Sequence, residues 1–173
     1  MTVLSVRAAP GDTRGILCLS NQTFPCALGR AGIVDSKREG DGGTPVGRFA
    51  IRRLFYRPDR EPAPATSLET ATIDPNLGWC DDPGDPDHYN RPVRLPHSSG
   101  HERLWRSDRV YDLIVILGHN DDPPIPGLGS AIFLHLARPD YAPTEGCVAL
   151  SHPDLQAVLT LVGPESTVDI ALS

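Results

Sequence analysis

The chain has 173 residues, the size of about one domain, and its apolar content of 39% suffices for a sizeable core. Its 16 glycines and 18 prolines favour short strands and ordered loops over a helical bundle. A formal net charge of −6 without any Lys/Arg block gives no support for nucleic-acid binding, and no apolar run is long enough to span a bilayer. We expect one domain over residues 1–173.

Short strands are predicted in the N-terminal part, over residues 3–6, 15–19 and 23–28, with a polar turn at 20–22. Cys18 and Cys26 flank this turn and form either a bridge or, as we favour, two free thiols. No Cys-x-x-Cys pair occurs, so no structural zinc site is expected.

A glycine-rich loop over residues 39–47 precedes a predicted strand at 48–54. This loop is not typical of a phosphate-binding loop, because it lacks a Lys-Ser/Thr ending and Pro45 removes a backbone donor.

The segment 57–105 is rich in proline and has no periodic pattern over residues 57–96. A segment of this kind is a linker, a functional cover or an ordered surface loop without a role. Trp79, Tyr89 and Trp105 favour packing, so we predict a lid or cap over the main body.

The pattern is clearest in the C-terminal part. Residues 110–117 predict a central strand buried on both faces, and residues 130–136 predict a second strand whose alternation places Phe133 and His135 on the same face. Ser151 is a predicted helix N-cap, followed by an apolar stripe of Leu155, Val158, Leu159 and Val162 and by a last strand at 167–172.

The residues that could carry chemistry are His135 and Cys147. A thiol nucleophile needs a base or imidazolium to hold a thiolate and backbone N–H groups to stabilise the oxyanion. Gly146 would allow a tight turn and a close approach of substrate. The spacing alone also fits a core cysteine.

Three motifs in this order carry a family resemblance: Thr44-Pro45-Val46-Gly47-Arg48-Phe49, Ile132-Phe133-Leu134-His135 and Thr144-Glu145-Gly146-Cys147. They resemble the L,D-transpeptidases with a YkuD-type catalytic domain. The resemblance implies a mostly β, sandwich-like fold with one or two short helices, here with a proline-rich lid insertion.

The resemblance also implies peptidoglycan crosslinking through a cysteine thioester. Cys147 would be the nucleophile, His135 the general base and acid, and the N–H of Cys147, together with that of Gly146, the oxyanion donor. The implied partners are donor and acceptor stem peptides, with no metal or organic cofactor. We expect a monomer in the cell envelope or periplasm, although residues 1–7 show no export signal.

Three residues depart from the family's common pattern: Leu136 replaces Gly after the catalytic His, Glu145 replaces His, and Ala149 replaces Arg or Asn. Together with the 57–105 segment, they predict a divergent branch that forms a non-standard linkage, such as 1–3 rather than 3–3. Glu145 would raise the pKa of the thiol unless a cation such as Arg138 pairs with it.

Further candidates for substrate binding are Thr144, Glu145, Arg138, Tyr141, His119 and Asn120. Arg138 could instead pair with Asp140, and His119 could be a turn residue at the exit of a strand. For Tyr89-Asn90-Arg91 we favour hydrogen bonds that anchor the loop over contacts with substrate. His88, His97, His101 and His152 lack convergent ligand spacing and are interpreted as surface or loop residues.

Three alternative functions stay open at this point. Water could resolve the thioester, which would make the protein an endopeptidase or carboxypeptidase on the same polymer. The fold could serve as a non-catalytic wall-binding module. The third alternative is a metal hydrolase that uses His119, His135 and Cys147 as ligands.

Overall fold

The computed structural model describes residues 2–173 and is built mostly of β-strands, with a single helix among these residues. The elements in chain order are β1 (Val3–Ala8), β2 (Arg14–Leu19), β3 (Gln22–Ala27), β4 (Ile33–Val34), β5 (Thr44–Pro45), β6 (Gly47–Tyr56), β7 (Thr70–Thr72), β8 (Leu77–Cys80), β9 (Pro92–Arg94), β10 (His101–Arg103), β11 (Leu113–Leu117), β12 (Phe133–Leu136), β13 (Val148–Leu150), α1 (His152–Leu161) and β14 (Thr167–Leu172).

The main sheet closes on itself. Its strands follow the order β11-β12-β13-β3-β2-β1-β14-β6, and β6 pairs back with β11. Closure leaves no free edge in this ring, which protects it from edge-to-edge association. The apolar residues that face inward from opposite sides of the ring form the main core. The predicted mostly β fold is therefore confirmed.

Strand β11 is buried on both faces, as predicted. The side chains of Leu113, Val115 and Leu117 point into the main core. Those of Ile114 and Ile116 belong to a second apolar cluster outside the ring. Trp79 packs edge-on against Phe133 in this cluster, with ring centroids 5.1 Å apart.

The segment 57–105 is more regular than the sequence indicates. It contributes β7, which pairs with β6, and a small antiparallel sheet in the order β10-β8-β9. The prediction of a segment without periodic structure was wrong, because strands of three or four residues are too short to show a pattern. The role of this segment as a lid stays a prediction.

Local sequence signals account for the helix. The Ser151 side chain accepts a hydrogen bond from the Asp154 amide at 3.3 Å, and Leu155, Val158 and Leu159 are buried as predicted. Helix α1 ends before Val162.

Cys18 and Cys26 are free thiols, in agreement with the favoured interpretation. Within residues 2–173, no helix combines the length and apolar character needed to cross a membrane.

Candidate active site

His135 lies on β12, on the outward face that it shares with Phe133. It is only 5% exposed, and its Nδ1 lies 2.9 Å from the carbonyl oxygen of Leu136. A carbonyl can only accept, so Nδ1 carries the proton and Nε2 is left as the basic nitrogen. Burial lowers the pKa of His135 to about 4, which keeps the imidazole neutral at physiological pH.

Cys147 stands immediately before β13, which runs parallel to β12 with Val148 opposite Leu134. The amide of Phe133 donates to Sγ at 3.4 Å, and the thiol donates to the carbonyl oxygen of Ala131 at 3.1 Å. The sulfur atom is thus held against the strand that carries His135, although within residues 2–173 neither of its hydrogen bonds goes to the imidazole.

The Cys147 thiol is protonated in the free protein. Burial, and secondly the charge of Glu102, raise its pKa to about 12. Burial in this site therefore disfavours both the thiolate and the imidazolium, so a thiolate held by the imidazole stays a prediction. The pair is a neutral thiol and a neutral imidazole.

The turn before Cys147 is ordered by Thr144. Its hydroxyl donates to the Cys147 carbonyl oxygen at 2.7 Å and accepts from the Gly146 amide at 3.1 Å. The Gly146 amide is thus already used within the turn, which contradicts its assignment as an oxyanion donor. Contact of Thr144 with substrate stays a prediction.

Gly146 is required by the chain's own packing. Its φ is +139°, and a Cβ atom there would lie 2.7 Å from the carbonyl oxygen of Gly43 in the glycine-rich loop 39–47. The reason given from the sequence, close approach of substrate, is thus replaced by close approach of this loop.

Cys147 and His135 line one cavity of about 340 Å³. Its wall carries charges of both signs. The cations are Lys37, Arg106 and Arg138, and the carboxylates are Glu39, Asp81, Glu102 and Glu145. The cavity therefore suits a polar ligand that carries both a positive and a negative group.

Several residues of this cavity were missed by the sequence analysis, among them Glu102 and Tyr111. The Tyr111 hydroxyl donates to Glu102 Oε2 at 2.9 Å, and the Tyr111 ring packs edge-on against His135, with centroids 5.3 Å apart. Burial raises the pKa of Glu102 to about 7. Glu102 comes from β10, where three residues give no pattern that could have marked it.

The 57–105 segment is hydrogen-bonded to the loops around the cavity through Asn90. Its Nδ2 donates to the carbonyl oxygens of His119 and Asn120 at 3.0 and 2.8 Å, and its Oδ1 accepts from the Ala131 amide and from Trp79 Nε1, both at 3.0 Å. This confirms the interpretation of Tyr89-Asn90-Arg91 as a loop anchor.

Tyr89 anchors the same segment at a second point. Its hydroxyl donates to Glu39 and accepts from the Gly129 amide at 3.1 Å. The segment is therefore attached both to the glycine-rich loop and to the loop that leads into β12.

His119 and Asn120 do not line the cavity that holds Cys147. The Nε2 of His119 donates to the Leu128 carbonyl oxygen at 3.1 Å, and the ring packs on Phe49. The Asn120 side chain donates to the carbonyl oxygens of Ile125 and Gly129. Both side chains serve to fold the 118–130 loop, and their contact with substrate stays a prediction.

Tyr141 also lies outside the lining of the cavity, in a turn in which its amide donates to the Arg138 carbonyl oxygen. Arg138 does line the cavity, but its nearest carboxylate is that of Asp108, at 3.8 Å. Glu145 pairs instead with Arg30 at 2.9 Å. Both partners considered for Arg138, Asp140 and Glu145, were therefore wrong.

The metal-hydrolase interpretation fails on geometry. Within residues 2–173, the potential ligand atoms of His119, His135 and Cys147 do not come within 4.8 Å of one another. Three donors that far apart cannot share one ion.

Comparisons with known proteins give two weak structural matches and one match to a family model. No curated protein matches the chain. Two solved structures are similar to it: L,D-transpeptidase 1 of Mycobacterium tuberculosis, at 13% identity over 99% of this chain and 62% of that chain with a TM-score of 0.42, and an L,D-transpeptidase from Mycobacterium smegmatis, at 12% identity over 98% and 59% with a TM-score of 0.43. The chain spans about three fifths of the length of these two proteins.

A likeness as weak as that of the two mycobacterial structures carries no argument about activity. The match to a family model is more extensive, since the model described as YkuD, L,D-transpeptidase catalytic domain, covers residues 19–170. This range includes both His135 and Cys147 and six of the eight strands of the closed sheet, all except β1 and β2. The chain therefore belongs to the YkuD family of L,D-transpeptidase catalytic domains.

Proposed function

We propose that this protein is a peptidoglycan L,D-transpeptidase that joins stem peptides through a thioester on Cys147. The observation that carries the proposal is the presence of Cys147 and the basic nitrogen of His135 on one cavity of a YkuD domain. A thiol and a base on one cavity are what nucleophilic acyl transfer needs.

The first half of the proposed reaction forms the acyl-enzyme. Sγ of Cys147 attacks a carbonyl carbon of the donor peptide while Nε2 of His135 takes the thiol proton. The tetrahedral intermediate collapses, its C–N bond breaks, and His135 returns the proton to the departing amine. Because the starting pair is neutral, the proton moves as the S–C bond forms rather than before substrate binds.

The second half transfers the acyl group. The amine of the acceptor stem loses a proton to His135 and attacks the thioester carbonyl, and the thiol of Cys147 leaves and is reprotonated. The amide of Cys147 is the proposed donor to the oxyanion in both halves, since the amide of Gly146 is already bonded to Thr144.

The charges of the cavity support a peptide donor with free amino and carboxyl groups. Arg106 and Arg138 can bind carboxylates, and Glu39 and Asp81 can bind an ammonium group. A stem peptide with a diamino acid side chain has both kinds of group.

An adjoining cavity favours transfer to an amine over hydrolysis. This second cavity, of about 710 Å³, shares Val110 and Arg138 with the first and reaches Leu136 and Ala137 at the end of β12. We assign it to the acceptor stem. The alternative is that water resolves the thioester, which would give an endopeptidase or carboxypeptidase.

The proposed linkage is non-standard, 1–3 rather than 3–3. It rests on the departures at Leu136, Glu145 and Ala149 and on the 57–105 segment, which contributes Asp81 and Glu102 to the cavity wall. Mass spectrometry of the crosslinked products from purified wall polymer tests it. Ordinary 3–3 dimers as the sole product would contradict it, and monomers alone would indicate hydrolysis.

The test of the mechanism is the intact mass of the protein after incubation with a carbapenem or a donor stem peptide. We expect one covalent adduct, mapped to Cys147, that is absent from Cys147→Ala. The matched control is Cys18→Ser, which removes a more exposed thiol and should keep the adduct.

An adduct that persists in Cys147→Ala would overturn the assignment of the nucleophile. Wall binding without any adduct, equal in the wild type and in Cys147→Ala, would instead establish the non-catalytic binding module.

A further inference from the structure

A cluster of potential metal ligands lies on the small sheet of the 57–105 segment, outside the cavity that holds Cys147. The ligand atoms of Cys80, Asp85 and His97 all lie within 4.8 Å of one another. Cys80 follows Trp79 on β8 and so faces the opposite side of the sheet. Trp79 packs towards Phe133, whereas Cys80 packs with Val93 and Leu95.

The three donors are of the types that zinc prefers: a thiol sulfur, a carboxylate oxygen and an imidazole nitrogen. The fold already holds them together. Cys80 is fully buried, the side chains of Asp85 and His97 are 15% and 13% exposed, and His97 Nε2 lies 3.0 Å from Asp85 Oδ2. A bound cation would replace this last contact.

A second histidine holds the carboxylate. His88 Nδ1 lies 2.9 Å from Asp85 Oδ1, and the rings of His88 and His97 pack edge-on with centroids 5.1 Å apart. His88 and His97 thereby hold the two oxygens of this carboxylate in a fixed orientation. Hydrogen-bonded partners of this kind orient the ligands of metal sites.

The charged groups around the Cys80 sulfur are carboxylates. The carboxylates of Asp81, Asp82 and Asp85 place negative charge around it. A divalent cation would offset these charges and favour the thiolate.

We propose that Cys80, Asp85 and His97 bind one Zn²⁺ ion, with His88 orienting Asp85 and water in the fourth position. This proposal does not rest on the proposed transpeptidase activity. The sequence alone gave no sign of the site, because its ligands are spaced irregularly over residues 80–97 and no Cys-x-x-Cys pair is present.

The zinc site would influence the cavity of Cys147 by restricting the loop between Asp85 and His97. Tyr89 and Asn90 lie between the ligands in sequence, and the Asn90 amide donates to the Cys80 carbonyl oxygen at 2.9 Å. An ion that fixes both ends of this loop would limit the motion of Tyr89 and Asn90. These two residues attach the segment to Glu39 and to Ala131, respectively. The zinc would therefore be structural, on the far side of the sheet from Cys147.

The experiment is a zinc titration of the full chain, free of any histidine tag and stripped of metal, in competition with a chromophoric chelator. We expect one equivalent of Zn²⁺ to bind and expect Cys80→Ser and His97→Ala each to weaken binding at least tenfold. Co²⁺ should give a thiolate charge-transfer band that Cys80→Ser abolishes.

Three variants serve as matched controls and should keep the affinity for zinc. His101→Ala removes a histidine of the same segment whose Nδ1 is bonded to the Ser99 carbonyl oxygen. Cys18→Ser and Cys147→Ala remove thiols elsewhere. The absence of zinc binding, unchanged affinity in Cys80→Ser or His97→Ala, or loss of binding in Cys147→Ala would overturn the proposal.

Thermal unfolding separates loss of the site from misfolding of a variant. Zinc should raise the melting temperature of the wild type and of His101→Ala by several degrees but leave metal-free His97→Ala unchanged. An equal rise in His97→Ala would show that the ion binds elsewhere.

Discussion

The two sides of the cavity are built in different ways. On one side, β12 and β13 belong to the closed ring, are buried on both faces and carry His135 and the approach to Cys147. On the other side, the 57–105 segment forms strands of three or four residues and is attached to the cavity's loops by the hydrogen bonds of Asn90 and Tyr89.

The ring side of the cavity carries the groups proposed to react, whereas the 57–105 segment carries groups that shape the cavity. Side chains on the doubly buried strands have directions fixed by the sheet, as a nucleophile and a base require. The 57–105 segment contributes Asp81 and Glu102, whose placement depends on a few polar contacts. We therefore expect substitutions on the ring side to affect chemistry first and substitutions in the segment to affect stability and pH response first.

The largest effect is expected from His135→Gln, on the ring side. Loss of a general base slows acyl transfer by about 10² to 10⁴-fold. The rate of adduct formation on Cys147, followed by intact mass, measures it. The matched control is His119→Gln, a substitution of a histidine outside this cavity, which should change the rate by less than about tenfold. A similar loss of rate in both variants would contradict the assignment of His135 as the general base.

The next effect is expected from Asn90→Ala, in the segment. It leaves the Ala131 amide and the Trp79 indole N–H without their acceptor, at a cost of about 2–4 kcal/mol in the free energy of unfolding. Urea denaturation measures it. Asn76→Ala, at an exposed position of the same segment, should stay within about 0.5 kcal/mol. A loss below about 1 kcal/mol for Asn90→Ala would show that the segment is held by other contacts.

A pH-dependent effect is expected from Glu102→Gln. The pKa of Glu102 is raised from 4.5 to about 7 in the folded protein, so folding favours the protonated carboxyl. Its contribution to stability is complete below pH 4.5 and is lost as the pH rises through 7. Relative to Glu102→Gln, the wild type should therefore lose up to about 3 kcal/mol between pH 4.5 and 8.

Unfolding of both proteins at several pH values tests this prediction for Glu102. Glu69→Gln is the control, because the Glu69 carboxylate is exposed, lies immediately before β7 and pairs with Arg53. A difference between wild type and Glu102→Gln that does not depend on pH would mean that Glu102 is ionised throughout.

The smallest effect is expected from Arg30→Ala, which removes the ion pair with Glu145. Both side chains are largely exposed, at 53% and 79%, so the pair should contribute less than about 1 kcal/mol. Unfolding at low and high salt measures it, and the difference should shrink with salt. A loss above about 2 kcal/mol would place this pair among the contacts that order the Cys147 turn.

Local patterns predicted the ring side well. The alternation over residues 130–136 correctly placed Phe133 and His135 on one face, opposite the core residues Leu134 and Leu136, and Ser151 correctly marked the helix N-cap. These features depend on residues a few positions apart, where period and capping act directly.

Predictions that depended on distant contacts were less successful. His119 was assigned to substrate binding because it ends a strand, but the 118–130 loop folds back until its Nε2 reaches Leu128. The Gly146 amide was assigned to the oxyanion, but Thr144 takes it. In both cases, the partner is chosen by how a loop closes, which no local period encodes.

The sequence by itself determined the class of fold, the faces of the longer strands, the helix that follows Ser151 and the two residues proposed for chemistry. Tertiary structure decided which distant residues are in contact. The parallel pairing of β12 with β13 brings Cys147 to Phe133, and Tyr111, hydrogen-bonded to Glu102, packs against His135. The fold also brings together Cys80, Asp85 and His97. The physical reason is that strand faces follow from backbone geometry within a few residues. Contacts across the chain depend instead on which strands and loops pair in the whole molecule.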